Sequence, residues 1–77
     1  MNKKLIAFVL ITVKPAQEVS VRRALKKVKE ITEVDALFGE YDIIVKIETA
    51  DIGRTVVEKI RPIDGILDTK TLSTTIL

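Results

Sequence analysis

Any chemistry in this chain is done without histidine or cysteine, since neither occurs among its 77 residues. That removes the commonest general base and the commonest metal ligand, together with disulfides and thiolate metal sites. Carboxylates, lysine, tyrosine and hydroxyls remain. Gly39-Glu40-Tyr41-Asp42 joins a backbone that can approach a ligand closely to an aromatic ring and acids at one turn. Leu72-Ser73-Thr74 adds hydroxyls near the end of the last apolar segment. A carboxylate pairs with an ammonium, while hydroxyls and free backbone N–H groups hold a carboxylate. The combination suits a zwitterion such as a free amino acid. Serine and threonine are also ordinary strand residues, and Gly-x-Tyr-Asp also fits a plain hairpin turn, so the residues alone leave both readings open.

Other chemistries fit less well. Tyr41, Asp42 and Lys46 form the one catalytic candidate beside a turn, but Asp42 and Lys46 are roughly 13 Å apart along a strand, too far for a direct proton relay. Surface charges flanking Ile44 are the better reading of that pair. Asp35, Glu40 and Asp42 offer oxygens to a hard cation, without the spacing of a known calcium loop, so no metal or cofactor is expected. Arg22, Arg23, Lys26, Lys27 and Lys29 make a basic run, but no aromatic residues interleave with it and no helix-turn-helix pair accompanies it. A solvated helix face is its simpler reading. The balance of 13 basic and 11 acidic residues, net charge +2, argues against a dedicated nucleic-acid binder.

The elements that must position these residues follow from periodicity. Leu5–Val13 is a nine-residue aliphatic strand ended by Lys14-Pro15. It is too short to span a membrane, and it lacks the cleavage site of a secretory signal; a cytoplasmic protein is expected. Residues 16–30 take helical spacing, with Val21, Ala24, Leu25 and Val28 on one stripe. Val34, Ala36 and Phe38 alternate as a short strand. Gly39-Glu40 makes a tight connection, and Tyr41, Ile43, Val45 and Ile47 alternate as the next strand. Asp51 caps a second helix with Gly53, Val56, Val57 and Ile60 inward; Arg61-Pro62 ends it, and Gly65 opens a last strand reaching about Leu77. A shift of about 32 positions lays one half on the other, Ile11 on Ile43 and Leu25 on Val57. The order β-α-β-β-α-β with this repeat predicts an α+β, ferredoxin-like unit: one four-stranded antiparallel sheet with two helices on one face.

A chain of this length buries only about 60% of its unfolded surface, and small folds lean on disulfides, metals or self-association. Without cysteine or histidine, the last is the remaining common support. Leu5, Ala7, Val9 and Ile11 point to one side of the first strand, and Ile6, Phe8 and Leu10 to the other. An antiparallel sheet with one wet face alternates apolar with polar. Both sides of this strand are apolar, so the second is expected to pack on the same face of another copy.

The segment Phe38-Gly39-Glu40-Tyr41-Asp42-Ile43-Ile44-Val45-Lys46-Ile47 resembles the glycine-x-aromatic-aspartate turn and following strand of the Lrp/AsnC family of amino-acid-responsive regulators. Ile63-Asp64-Gly65-Ile66 with Thr69-Lys70-Thr71 is similar to that family's ending, with Asp64 where proline is usual. The likeness covers Leu5 to Leu77 and corresponds to the effector-binding domain known as RAM, so residues 1–77 are expected to be one stand-alone RAM domain without the family's helix-turn-helix domain. The resemblance implies a dimeric α+β barrel, assembly of dimers into an octamer, and non-catalytic binding of a free amino acid between dimers. It implies that Asp42 meets the ligand ammonium, that Gly39, Glu40 and Tyr41 shape the turn, and that Leu72, Ser73 and Thr74 line the opposite wall. A full-length Lrp/AsnC regulator is an implied partner, while direct sequence-specific DNA binding and membrane binding are not. A small dimeric barrel enzyme and a purely structural oligomerisation module are the alternatives.

Overall fold

Burial alternates along the first strand as the two-sided pattern requires: Ala7, Val9, Ile11 and Val13 are buried, and the residues between them face the other way. The computed structural model describes residues 4–73. Its elements run β1 (Leu5–Val13), α1 (Glu18–Leu25), β2 (Ile31–Ala36), β3 (Ile43–Thr49), α2 (Ile52–Thr55) continuing into a π-helical turn (Val56–Ile60), and β4 (Ile66–Ser73). The strands form one sheet in the order β2-β3-β1-β4, every neighbouring pair antiparallel. Both helical segments pack on one side of it. Val21 and Leu25 from α1, and Val56 and Ile60 from the second helix, close over Ala7, Val9, Ile11, Ile43, Val45 and Ile47. The expected α+β, ferredoxin-like architecture is present.

Several boundaries differ from the sequence expectation, each for a physical reason. The first helix is shorter than residues 16–30. Pro15 and Ala16 form a turn in which Ala16 takes φ +68°, and after Leu25 the chain tightens through bonds from Lys27 N to Ala24 O and Val28 N to Leu25 O. This returns the chain in time to start β2 at Ile31, earlier than Val34. The early start is hidden because the register shifts between Ile31 and Glu33, so that Ile31 pairs with Ile47 and Val34 with Val45. A bulge of one residue places Ile31 and Val34 on the same side although they are three apart. The expected strand position Phe38 is instead 108% exposed, because β2 ends at Ala36. The connection is also wider than a two-residue turn: Leu37 N donates to Asp42 O at 2.8 Å and closes a loop over residues 37–42.

In the second helix Val57 is 55% exposed and Gly53 is exposed, whereas Thr55, Val56 and Ile60 are buried. The π turn, closed by Arg61 N to Val56 O, changes the phase of the inward stripe. The repeat therefore holds at an offset of 32 in the strands, where Ile11 and Ile43 are both buried, but not in the helices, where buried Leu25 would fall on exposed Val57. An offset of 35 lays Val21 and Leu25 on Val56 and Ile60 instead.

Polar side chains fix the β3–α2 corner. Asp51 accepts from Arg54 N at 3.1 Å as the expected cap. The buried hydroxyls of Thr49 and Thr55 meet at 2.7 Å, and Thr55 also donates to Asp51 O at 2.9 Å. Lys59 donates to Glu30. That bond, ahead of the opposing effect of desolvation, holds the Glu30 carboxyl below its usual 4.5.

At the β4 entrance Gly65 has φ +101°, and a Cβ there would stand 2.8 Å from Val21 Cγ2 and 3.2 Å from Gln17 Cβ. Gly65→Ala is expected to destabilise by about 2–4 kcal/mol, combining left-handed strain with overpacking of a closed core. Ala16→Gly, the reverse exchange at another left-handed position, is expected to be neutral or stabilising by less than about 1 kcal/mol. Urea unfolding of the two variants checks the opposite signs. A depressed carboxyl value adds stability above its unfolded value, and that stability is lost as pH falls through the folded one. Glu30→Gln is therefore expected to lower the urea midpoint near neutrality, with the difference from the parent vanishing at the acid end of the carboxylate range.

Candidate functional site

The loop between β2 and β3 carries the first group of candidate residues. Gly39 stands at its tip with φ +142° and nothing within 4 Å of the position a Cβ would take. A side chain there would strain the backbone without meeting a neighbour, so the glycine serves the loop's course. Glu40 is exposed, and Tyr41 and Asp42 are half-buried.

Asp42 is bound into the sheet three ways. Its N–H donates to Ile11 O at 2.9 Å, its carbonyl accepts from Leu37 N at 2.8 Å, and its Oδ2 accepts from Val13 N at 2.8 Å. Sequence reasoning missed this last contact. The β1–β3 ladder runs out at Ile11 and Ile43, and the carboxylate then stands in for the next strand residue by taking the Val13 N–H. Among the described residues no donor meets Oδ1. One oxygen thus serves the fold and the other remains open to a cation.

The second group lies elsewhere on the same chain. Leu72 is opposite Phe8 and Ser73 opposite Ala7, at the β1 end remote from Asp42. Thr74 lies outside the described residues. Ile11 and Ala7 are four residues apart, and β1 separates β3 from β4, so the Asp42 loop and Ser73 are roughly 16 Å apart by strand geometry. One chain does not bring the two walls together around a molecule of amino-acid size. The clefts of about 320 Å³ at Val19, Arg22, Arg23 and Lys26, and of about 300 Å³ at the β3–α2 corner, also lie away from both.

The remaining candidates separate. Lys46 pairs with Glu33 across the strands at 3.5 Å, not with Asp42. Asp35, Glu40 and Asp42 do not converge: among the described residues no three acidic side chains gather as a metal-holding group. No helix among the described residues is long and apolar enough to cross a membrane.

The sheet face away from the helices has its own anatomy. Register places Phe8 beside Leu72, and Leu10 between Ile44 and Lys70. Leu72 is 46% exposed and Ile6 37% exposed. Glu33 and Asp35 on β2, Lys46 and Glu48 on β3, and Asp68 and Lys70 on β4 surround this apolar centre. An apolar centre with a charged rim is the anatomy of a protein–protein interface.

Comparison with known proteins agrees with the fold. The Lrp/AsnC ligand binding domain family matches residues 6–74. A helix-turn-helix-type transcriptional regulator of Pyrococcus furiosus is 33% identical over 78 residues, covering 94% of this chain and 52% of the regulator. The chain spans about half the length of the curated relatives it matches. The crystal structure of FFRP-DM1 is 32% identical with a TM-score of 0.86, covering 92% of this chain and 99% of that one. A transcriptional regulator of Neisseria meningitidis, solved as a complex with L-methionine, shares the fold at 20% identity and a TM-score of 0.83, over 97% of this chain and 52% of that one. The Phe38–Ile47 turn and strand, the antiparallel β2-β3-β1-β4 sheet and the family match over residues 6–74 converge: this chain belongs to the Lrp/AsnC ligand binding domain family.

Proposed function

We propose that residues 1–77 act as one non-catalytic effector-binding domain in the cytoplasm, taking a free amino acid or similar zwitterion at sites between copies of the chain. Asp42 of one copy receives the ammonium on Oδ1, with Gly39, Glu40 and Tyr41 shaping the loop. Leu72, Ser73 and Thr74 of another copy supply the wall and the donors for the ligand carboxylate. The observation that carries this reading is the half-engaged Asp42 carboxylate, oriented by Val13 N at 2.8 Å on one oxygen. The separation of the two walls within a chain supports placing the site between copies. Family membership and the methionine complex of the Neisseria regulator support an amino acid as the ligand class.

Dimers form through the sheet face of Phe8, Leu10, Ile44 and Leu72 and assemble further, with an octamer as the expected closed form. Ligand held between dimers favours the assembled state by its differential affinity, which is sufficient for regulation. A full-length Lrp/AsnC regulator sharing these surfaces would carry the signal to transcription.

The Asp42–Val13 bond also favours a second reading, in which the turn is purely architectural. Thermal melting against the standard amino acids separates the two. A ligand about 100-fold above its Kd is expected to add about 2.7 kcal/mol of stability. Asp42→Asn keeps an acceptor for Val13 and is expected to abolish that response at nearly unchanged stability. Asp42→Ala is expected to lose both, at a cost of about 1–3 kcal/mol for the stranded N–H. A folded oligomer that responds to no amino acid would support the architectural reading.

The assembly has its own check. Phe8 is half-buried within one chain, so completing its burial contributes part of the roughly 1.5–3 kcal/mol of a full burial per copy, and a lysine there would add a charge to be desolvated. Because a two-fold interface uses it twice, Phe8→Lys is expected to weaken the dimer by at least about 100-fold. Sedimentation velocity across a dilution series reads this directly, and a parent protein that is monomeric at all concentrations would overturn the interface.

A further inference from the structure

The ion pairs of the described residues leave one region out. Lys46 pairs with Glu33, Arg54 with Glu58, and Lys59 with Glu30. Arg22, Arg23, Lys26, Lys27 and Lys29, on α1 and the turn after it, have no carboxylate within ion-pair distance among the described residues. This stretch carries five positive charges and no acid, in a chain of net charge +2, which leaves −3 on the rest. Arg22 and Lys26, at i, i+4 across the last turn and C-cap of α1, are like charges and oppose the helix.

The same residues shape a recess. Val19, Arg22, Arg23 and Lys26 line an open cleft of about 320 Å³, and the Arg22 Nε is shut from solvent with no acceptor. Val21 and Leu25 anchor the opposite side of α1 in the core. Arg22 and Arg23 are therefore held on a packed helix, with Lys26, Lys27 and Lys29 on the turns directly after it, on the side of the sheet opposite Phe8, Leu10 and Leu72. This basic face stays outward whichever copy covers that other face.

We propose that this face of α1 is a docking surface for the phosphodiester backbone of duplex DNA, bound without regard to sequence. Arg22 and Arg23 lie on the last turn of α1 and Lys26, Lys27 and Lys29 on the turns that follow, so five cations fall within eight residues, a density suited to neighbouring phosphates along a strand. Charge complementarity is the whole of the recognition. No aromatic residue lies among these residues to stack a base, so single strands gain nothing over duplex. Val19 is the exposed apolar residue among them, whereas helices that lie in a membrane surface bring several large apolar side chains beside their basic ones. The inference is independent of the effector site, because none of its residues belongs to the Asp42 loop or the β4 wall.

Fluorescence anisotropy of a labelled mixed-sequence DNA duplex, titrated with the full chain from about 50 to 200 mM salt, tests it. Binding of equal strength to unrelated sequences is expected, with log affinity falling against log salt at a slope of about −3 to −4 for around four neutralised phosphates. The triple variant Arg23→Gln, Lys26→Gln, Lys27→Gln is expected to lose most of that slope, roughly 0.9 per residue, and at least about tenfold in affinity. Arg61→Gln, an exposed cation outside this stretch, is expected to leave both unchanged. Circular dichroism melts confirm that the variants fold. No binding at the lowest salt, a parent slope near zero, or a folded triple variant that binds like the parent would each overturn the proposal. So would tighter binding to phosphatidylcholine–phosphatidylserine vesicles or to polyglutamate than to the duplex.

Discussion

β1 lies between β3 and β4 and is apolar on both sides, and most of the molecule follows from how those two sides are covered. Toward the helices, Ala7, Val9, Ile11 and Val13 meet Val21, Leu25, Val56 and Ile60 within one chain. Toward the other side, Phe8 and Leu10 meet Ile44 and Leu72 across the ladder, and the helices are already engaged elsewhere. Each large apolar side chain left in water forgoes roughly 1.5–3 kcal/mol. Against a total stability of about 5–15 kcal/mol, several of them together are a substantial fraction. Phe8, Leu10 and Ile44 are half-buried within one chain, and the proposed pairing with a second copy would cover what remains.

The same strand sets where the candidate site residues fall. β1 holds the Asp42 loop at its far end, through Ile11 and Val13, and pairs with Leu72 and Ser73 at its near end. Its length therefore fixes the distance between the two walls. Shortening it would bring them together within a chain but would remove the ladder that supports β4. A site using both walls, as proposed, would be an inter-copy site, and its occupancy would be linked to assembly through mass action.

Much of this was legible in the amino-acid sequence, and what escaped did so for identifiable reasons. β1 is legible as an unbroken β-branched and aliphatic run ended by Lys14-Pro15, and β3 because its alternation is the direct imprint of one buried face. The Asp51 cap read correctly because it is a local contact between near neighbours. β2 began earlier than its alternation suggested, because the bulge at Thr32 puts Ile31 and Val34 on the same side. Val57 was misplaced because a π turn changes the helical phase without a signature in residue type. Phe38 seemed a strand residue because the loop closure between Leu37 and Asp42 is a backbone bond. At the site, the residue types of the Gly39–Asp42 turn were visible, but the bond from Val13 to Asp42 spans 29 positions and only a fold reveals it.

That bond bears on how the proposed site would work. A carboxylate free to rotate loses entropy when it captures an ammonium, whereas one whose second oxygen is already held by a backbone N–H has been oriented during folding. Ligand capture on Oδ1 and the end of β1 on Oδ2 then share one group. Strain or displacement at either is transmitted to the other through two bonds and not through a long chain of contacts. With so short a path between the Asp42 loop and the central strand, a ligand bound as proposed would act on the strand that also carries the proposed association surface, which is the coupling a regulator built from repeated copies requires.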